Sequence, residues 1–522
     1  MKRIFAALCA VLPFSQVLCN NINWSFPPTS LSSVNQNASD PQVAIDSNGD
    51  VFAAWVENGF VKSSTHNLNS SWSSLSTLSN SGASFPRIVS DLNGNVIAVW
   101  LEGGIVKTAS KPFNGSWSAS TSLSLSGASS PEVAVASTGD AVAVWSRSGN
   151  VESSTKLFGA NWQNRVTISS TAAAFPRVAI GGTGANVRAA IVWQGTSSST
   201  NVVYSSTKLL SGSWTSQQVI SDLNHQATNA RVAVDANSNA TAVWYQYDLT
   251  GSNYSDVVVQ TATRPSSGSW SAPLSLSSAG IHNPATLVAR VAFDSTGNAI
   301  ALWNNSSDDE TFSIESAVCP ARGNWTSAQD IVSSNLFAFA EDAAVTSFGD
   351  VLATYMFYNG SSLLIQSVES DIDAATTTPW SVPINFSAGM DNGYPRIAAS
   401  LSGNVINAAV LWVTYNGTNT SVVASIGART LVLPPSNLSV TQNVTNFGVF
   451  NDYYNTLNWQ ASSDPGVAGY LVFRNGVFLE QVAANVLQFV DHNRTQGGSV
   501  TYGVAAVNDQ LSQSRTVTVN FP

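Results

Sequence analysis

The chain is poor in charge. Of its 522 residues only 10% are Asp, Glu, Lys or Arg, against roughly a quarter in ordinary soluble domains. Acids outnumber bases 31 to 21, a formal charge of −10, and no basic cluster follows Lys2-Arg3. Neither a phosphate backbone nor an anionic membrane surface finds a matching patch, so nucleic acid is not expected as a partner. Cysteine is nearly missing: of 3 in all, Cys319 alone lies beyond the first 19 residues, and one thiol closes no internal disulfide. Cys319 is expected to be a small buried hydrophobe. The four histidines, His66, His225, His282 and His492, are scattered without metal-ligand spacing. Asp46-Ser47-Asn48-Gly49-Asp50 lacks the further acids of a calcium loop and predicts a hairpin turn. No phosphate loop, dinucleotide fingerprint or Gly-X-Ser-X-Gly elbow occurs. No cofactor and no metal is therefore expected. No later run is apolar for the roughly 18 residues of a membrane helix.

The first residues differ from the rest. Lys2 and Arg3 precede an apolar stretch from Ile4 to Pro13, and Val17-Leu18-Cys19 offers small or medium residues before a cut. Residues 1–20 thus read as a cleaved export signal, with the mature chain secreted or held at the cell surface or periplasm. A coat of Ser, Thr, Asn and Gly in place of charge suits an extracellular bacterial protein.

What the chain has in abundance is Trp, 16 in all, and they keep a rhythm. An alternating apolar run ends in Trp at 55, 100, 145, 193, 244, 303 and 412, with Tyr355 once in its place. A second Trp, in Gly-Ser-Trp-like segments, falls at 24, 72, 117, 162, 214, 270, 325 and 380, so both series recur every 45 to 59 residues. In the copy from Pro86 to Trp117, Arg87 to Ser90 predict a short inner strand and Asp91-Leu92-Asn93-Gly94 a turn. Val96, Ala98 and Trp100 alternate along a second strand, Ile105 to Ser110 predict a third and Ser116 to Thr121 a fourth. Strand repeats of this period resemble a β-propeller built from four-stranded blades. One Trp at the same place in every repeat is what packing between blades requires; a multivalent lectin, with each Trp stacked on a sugar, is the functional alternative.

The repeats also predict how the ring closes. Trp24 is a fourth-strand residue with no strands before it. The last repeat, from Pro395 to Gly427, offers three strands with no fourth behind them. The N-terminal strand should complete the last blade, giving an all-β fold with an eight-bladed propeller over residues 21–432.

The repeats stop at Leu433-Pro434-Pro435. Pro434 to Val440, Thr456-Leu457-Asn458-Trp459, Gly469 to Arg474, Phe489-Val490-Asp491 and Val500 to Asn508 resemble the strands of a fibronectin type III domain, core Trp and Tyr included. The resemblance implies a small β-sandwich over 433–522, with a longer loop than usual between Thr441 and Tyr454. No Arg-Gly-Asp occurs, so integrin binding does not carry over.

One position in each repeat, seven residues before the turn Gly or its equivalent, interrupts the apolar pattern. It holds Gln42, Arg87, Glu132, Arg177, Arg231, Arg290, Asp342 and Arg396. On inner strands these residues would ring the central channel, either as a lattice of ion pairs or as an anion site where Arg forks hold carboxylate or phosphate. The Phe-Pro-Arg segments at Phe85 and Phe175 look superficially like the arginine motif of sialidases, but the Ser-X-Asp-X-Gly-X-X-Trp boxes of that family do not occur. Glycosidases need two carboxyls within roughly 5 to 10 Å, whereas Glu132 and Asp342 fall four repeats apart. The expectation is a monomeric, exported, non-catalytic binding or scaffold protein that presents the propeller to a protein or glycan ligand. A sialidase-like carbohydrate-active enzyme, or a lectin, is the alternative.

Overall fold

The computed structural model describes residues 21–521 apart from 170–171, 251–252, 281–286, 306–312, 322, 333–337, 373–379, 388–391 and 510–512. Residues 1–20, where an export signal is expected, and His282 lie outside the described residues. The chain forms two compact units, one from Asn23–Ser402 with Ile406–Ala428, the other centred on Arg429–Pro522. Strand dominates throughout, and the one helix among the described residues is the three-residue turn Gly184–Asn186. No helix is long and apolar enough to cross a membrane among the described residues.

The first unit is a β-propeller whose antiparallel sheets follow one another along the chain. Sheets 1 to 7 begin with the strands Ala38–Ile45, Ala83–Ser90, Ala128–Val135, Ala173–Gly181, Gln226–Val234, Ala289–Phe293 and Ala338–Val345, and each has four strands. Sheet 8 is built from Asn392–Ser402, Val405–Tyr415 and Thr420–Thr430, and its outer edge is supplied from the other end of the chain. Asn23 and Trp24 pair with Ala428 and Gly427, and Thr29 and Ser30 with Ala424 and Val423. The first strand of each sheet lies against that of the next, and the first strand of sheet 8 against that of sheet 1, so the inner strands close a ring. The N-terminal strand closes the last sheet as the repeat register requires.

The second strand of each sheet differs from its expected pattern. Alternation predicts that Val96, Ala98 and Trp100 are buried and their neighbours not, yet Ile97 and Val99 are buried as well. In sheet 1 all of Val51–Glu57 is buried. The reason is that each sheet packs neighbours on both faces, as a sheet covered on two sides does. The Trp of each second strand packs on the preceding sheet: Trp145 joins Ile97, Val99 and Val106 of sheet 2, and Trp55 joins Ala409 and Leu411 of sheet 8. All seven of these Trp are at most 1% exposed, which leaves no ring face for a sugar. Several indoles are also held by a glutamate that the sequence pattern did not single out. Nε1 donates to Glu152 from Trp145 at 2.9 Å, to Glu315 from Trp303 at 2.8 Å and to Glu102 from Trp100 at 3.2 Å.

The fourth strands are shorter and later than expected. In sheet 2 the strand is Thr121–Ser122, with Trp117 in the segment leading to it. Asp46 makes the expected hairpin turn, its Oδ1 accepting the N–H groups of Asn48 and Asp50 at 2.9 Å. Cys319 is half-buried rather than fully buried, with Sγ 3.4 Å from the Gly323 carbonyl.

The second unit is a β-sandwich. One sheet holds Ser436–Asn446, Asn451–Gln460 and Gln488–Arg494; the other holds Val477–Ala483, Val467–Arg474, Val500–Asn508 and Val517–Phe521 in spatial order. Leu457 and Trp459 of the first sheet share a core with Tyr470, Val472, Tyr502 and Val504 of the second. Where the sequence predicts a long loop between Thr441 and Tyr454, the first two strands extend as a hairpin, pairing Thr441 with Thr456 and Asn446 with Asn451.

Candidate functional site

The ring position is a structural constant. Gln42, Arg87, Glu132, Arg177, Arg231, Arg290 and Asp342 each pair across the first hairpin with the residue just before the Trp or Tyr of the second strand. All therefore sit in one layer of the ring. In sheets 1 to 5 a register shift immediately precedes this residue. A bulge of this kind bends its strand and re-aims the side chain that follows.

Within the layer the charges meet across sheet boundaries. Arg87 Nε donates to Glu132 Oε2 at 2.8 Å, and Arg177 Nη1 stands 3.9 Å from the same oxygen. Arg290 Nε donates to Asp342 Oδ1 at 3.1 Å, while Asp342 Oδ2 accepts the backbone N–H of Ile397 at 3.2 Å. Arg87, Arg177, Arg231 and Arg396 also donate Nη1 to the carbonyl of the residue before them. Such a bond holds a guanidinium in one orientation and leaves its remaining N–H groups for another acceptor. Gln42 does the same with Nε2 to Pro41.

The charges of this layer act on one another between sheets. Burial would raise the Glu132 carboxyl, but Arg87, Arg177 and Arg231 together hold it below the ordinary glutamate value. Arg231 is pushed well down, first by burial and then by Arg177 and Arg290. Arg177 is lowered by burial too, and it senses Arg396 of the sheet directly opposite. Five cations and two anions therefore share the equivalent positions of the repeats. Arg231 has no carboxylate within ion-pair distance among the described residues.

The first strands carry a feature that the sequence suggested only as a superficial sialidase likeness. The residue two before each ring position has a left-handed backbone in six sheets: Asp40, Phe85, Ser130, Phe175, Asn229 and Tyr394, with φ between 50 and 55°. Asp, Asn and Ser accept this conformation; for a bulky aromatic residue it is an outlier. Phe85, Phe175 and Tyr394 are nevertheless 50%, 55% and 61% exposed and belong to no core. Each stands in an aromatic-Pro-Arg triplet, ahead of Arg87, Arg177 and Arg396. They occupy sheets 2, 4 and 8, three of the eight. The signal in the sequence was Phe-Pro-Arg itself; what it could not show was the exposure and the strain.

The two ring carboxyls are not brought together. Glu132 and Asp342 lie on opposite sides of the ring, each engaged by an arginine. Among the described residues no group of three or more His, Cys, Asp or Glu is placed to hold a metal ion.

No known protein family and no curated protein matches the chain. Solved structures that resemble it in fold include an ulvan lyase of a new polysaccharide lyase family, at TM-score 0.46 and 10% identity, over 78% of this chain and 98% of that one. Another is the polysaccharide lyase Uly1, at TM-score 0.40 and 8% identity, over 66% of this chain and 89% of that one. An α-L-arabinanase of Penicillium chrysogenum follows at TM-score 0.30 and 9% identity, over 49% and 92%. These likenesses are too distant to transfer an activity.

Proposed function

We propose that this protein binds an acidic glycan at the mouth of its channel. The eight sheets act as the blades of one closed propeller, and the C-terminal sandwich serves as a fibronectin type III-like spacer. The observation that carries the reading is the exposure of Phe85, Phe175 and Tyr394 on strained backbone directly ahead of Arg87, Arg177 and Arg396. Strain of this kind persists where the surroundings enforce it, and it clusters at functional sites. Exposed aromatic faces suit the C–H faces of pyranoses, and guanidinium forks suit carboxylates. The excess of three positive charges in the ring favours a uronate-bearing polymer over a neutral one. Such a ligand belongs outside the cell, in keeping with an export signal at 1–20.

A glycan array with the full mature chain tests the reading. Binding should concentrate on uronate-containing glycans and fall at least tenfold in Phe85→Ala, Phe175→Ala and Arg231→Ala. A blank array from folded protein, or binding indifferent to these changes, overturns it.

A carbohydrate-active enzyme is the second reading, and Tyr394 favours it. Its exposed phenol stands two residues from Arg396, so a group able to exchange a proton neighbours one able to hold a carboxylate. Incubation with uronate polymers, followed by the ultraviolet absorbance of unsaturated chain ends, separates a lyase from a binder.

A further inference from the structure

The junction between sheets 4 and 5 departs from that between sheets 3 and 4. In sheet 3, Ser153 and Thr155 lie on the third strand, Asn150–Lys156, and both hydroxyls are engaged from sheet 4. Trp214 Nε1 donates to Ser153 Oγ at 2.9 Å, and Lys208 Nζ to Thr155 Oγ1 at 3.0 Å. The ammonium also sits 5.6 Å from the centre of the Trp214 ring. Lysine and tryptophan together plug the junction.

One sheet further on, the corresponding residues are Ser205, Thr207, Trp270 and Arg264. The register fixes the equivalence. Tyr204 pairs with Trp193 as Glu152 pairs with Trp145, and Arg264 precedes Trp270 by the same step that separates Lys208 from Trp214. Ser205 and Thr207 are again buried, at 0% and 1% exposure, but here neither hydroxyl has a hydrogen-bond partner among the described residues. Arg264 turns instead to the Pro265 carbonyl at 3.2 Å. A cleft of about 120 Å³ is left, lined by Ser205, Thr207, Gln218, Arg264 and Trp270. That space exceeds what a single water needs, and both hydroxyl-bearing residues line it.

The lining specifies the occupant. Hydroxyls and the Gln218 amide suit the ring oxygens and hydroxyls of a sugar, and Trp270 offers an aromatic surface. Arg264 has no carboxylate partner among the described residues. An uncompensated guanidinium in the cleft calls for an anion. The cleft is too small for an oligosaccharide, so it takes one residue of a chain. We propose that the junction of sheets 4 and 5 is a binding site for a single carboxylate-bearing sugar, a hexuronate, distinct from the channel.

The test follows the indole N–H signal of Trp270 in the full ¹⁵N-labelled chain, assigned by its loss in Trp270→Phe. Glucuronate and galacturonate are titrated, with glucose as the neutral control. A saturable shift of this signal with at least one hexuronate, and none with glucose, is expected. Arg264→Lys supplies the residue type that plugs the preceding junction, and Thr207→Val removes one hydroxyl at nearly constant shape. Each should weaken the response at least tenfold, with the remaining indole signals showing that the fold is intact. Arg231→Ala, in the channel, should leave it unchanged. A Trp270 signal that does not move, moves equally with glucose, or responds undiminished in both cleft variants overturns the proposal. Loss of the response in Arg231→Ala alone overturns it too, while leaving the channel reading standing.

Discussion

Arg87 and Glu132 join sheets 2 and 3 by a single 2.8 Å contact, Nε to Oε2. Arg177 of sheet 4 approaches the same carboxylate oxygen at 3.9 Å, so one glutamate balances two guanidiniums on either side of it. Glu132→Gln keeps the shape and removes the charge. Breaking a buried pair leaves its partners uncompensated, although these side chains remain about one-fifth to one-quarter exposed. A loss of about 1–3 kcal/mol is expected, measured by urea unfolding against wild type.

The same carboxylate sets a pH dependence. The folded protein holds Glu132 below its ordinary value of 4.5, so the unfolded chain takes up this proton first as pH falls. The stabilisation is therefore complete above about 4.5 and is lost as pH drops through the lower folded value. The difference in unfolding free energy between wild type and Glu132→Gln should be flat near neutrality and shrink below pH 4.5. A difference that grows on acidification contradicts the assignment.

Phe175 presents a trade between stability and binding. Its φ of 52° suits asparagine far better than phenylalanine, and its ring is 55% exposed. Phe175→Asn should stabilise the fold by about 1 kcal/mol and raise the melting temperature while lowering affinity for uronate-containing glycans. A variant that loses stability as well shows the ring to be structural.

Ring closure rests on Trp24. It is buried and meets Phe386 edge-on at 4.9 Å between ring centres, and Phe386 continues to Trp412 at 5.8 Å. Trp24→Ala should cost about 3–5 kcal/mol. Deleting residues 21–32 exposes the edge of Thr420–Thr430, and aggregation on light scattering is expected from that unpaired strand.

Trp145 tests the junction polar contact. Trp145→Phe keeps most of the packing on Ile97 and Val106 but deprives Glu152 of the indole donor. Because Arg147 still holds Glu152 at 2.8 Å, the loss should stay near 1–2 kcal/mol. Trp145→Ala should cost about 3–5 kcal/mol.

Much of this molecule is written in its repeats. The spacing of Trp55, Trp100 and Trp145 states the size of one sheet, and the early position of Trp24 states that the N-terminus completes the last one. Local rules suffice here, because each sheet repeats the same hairpins and offers the same face to its neighbour. For the same reason the repeats place Gln42, Arg87, Glu132, Arg177, Arg231, Arg290, Asp342 and Arg396 at equivalent positions. Three things were decided only by tertiary structure. Alternation along the second strands gave way to full burial, because a sheet between two others has no exposed face. Which arginines are compensated depended on distances between sheets, where Glu132 serves two of them and Arg231 has no ion pair among the described residues. The strained aromatics at Phe85, Phe175 and Tyr394, and the open junction at Ser205 and Thr207, depend on backbone conformation and on which neighbour fills a gap. Residue order along one strand does not carry that information.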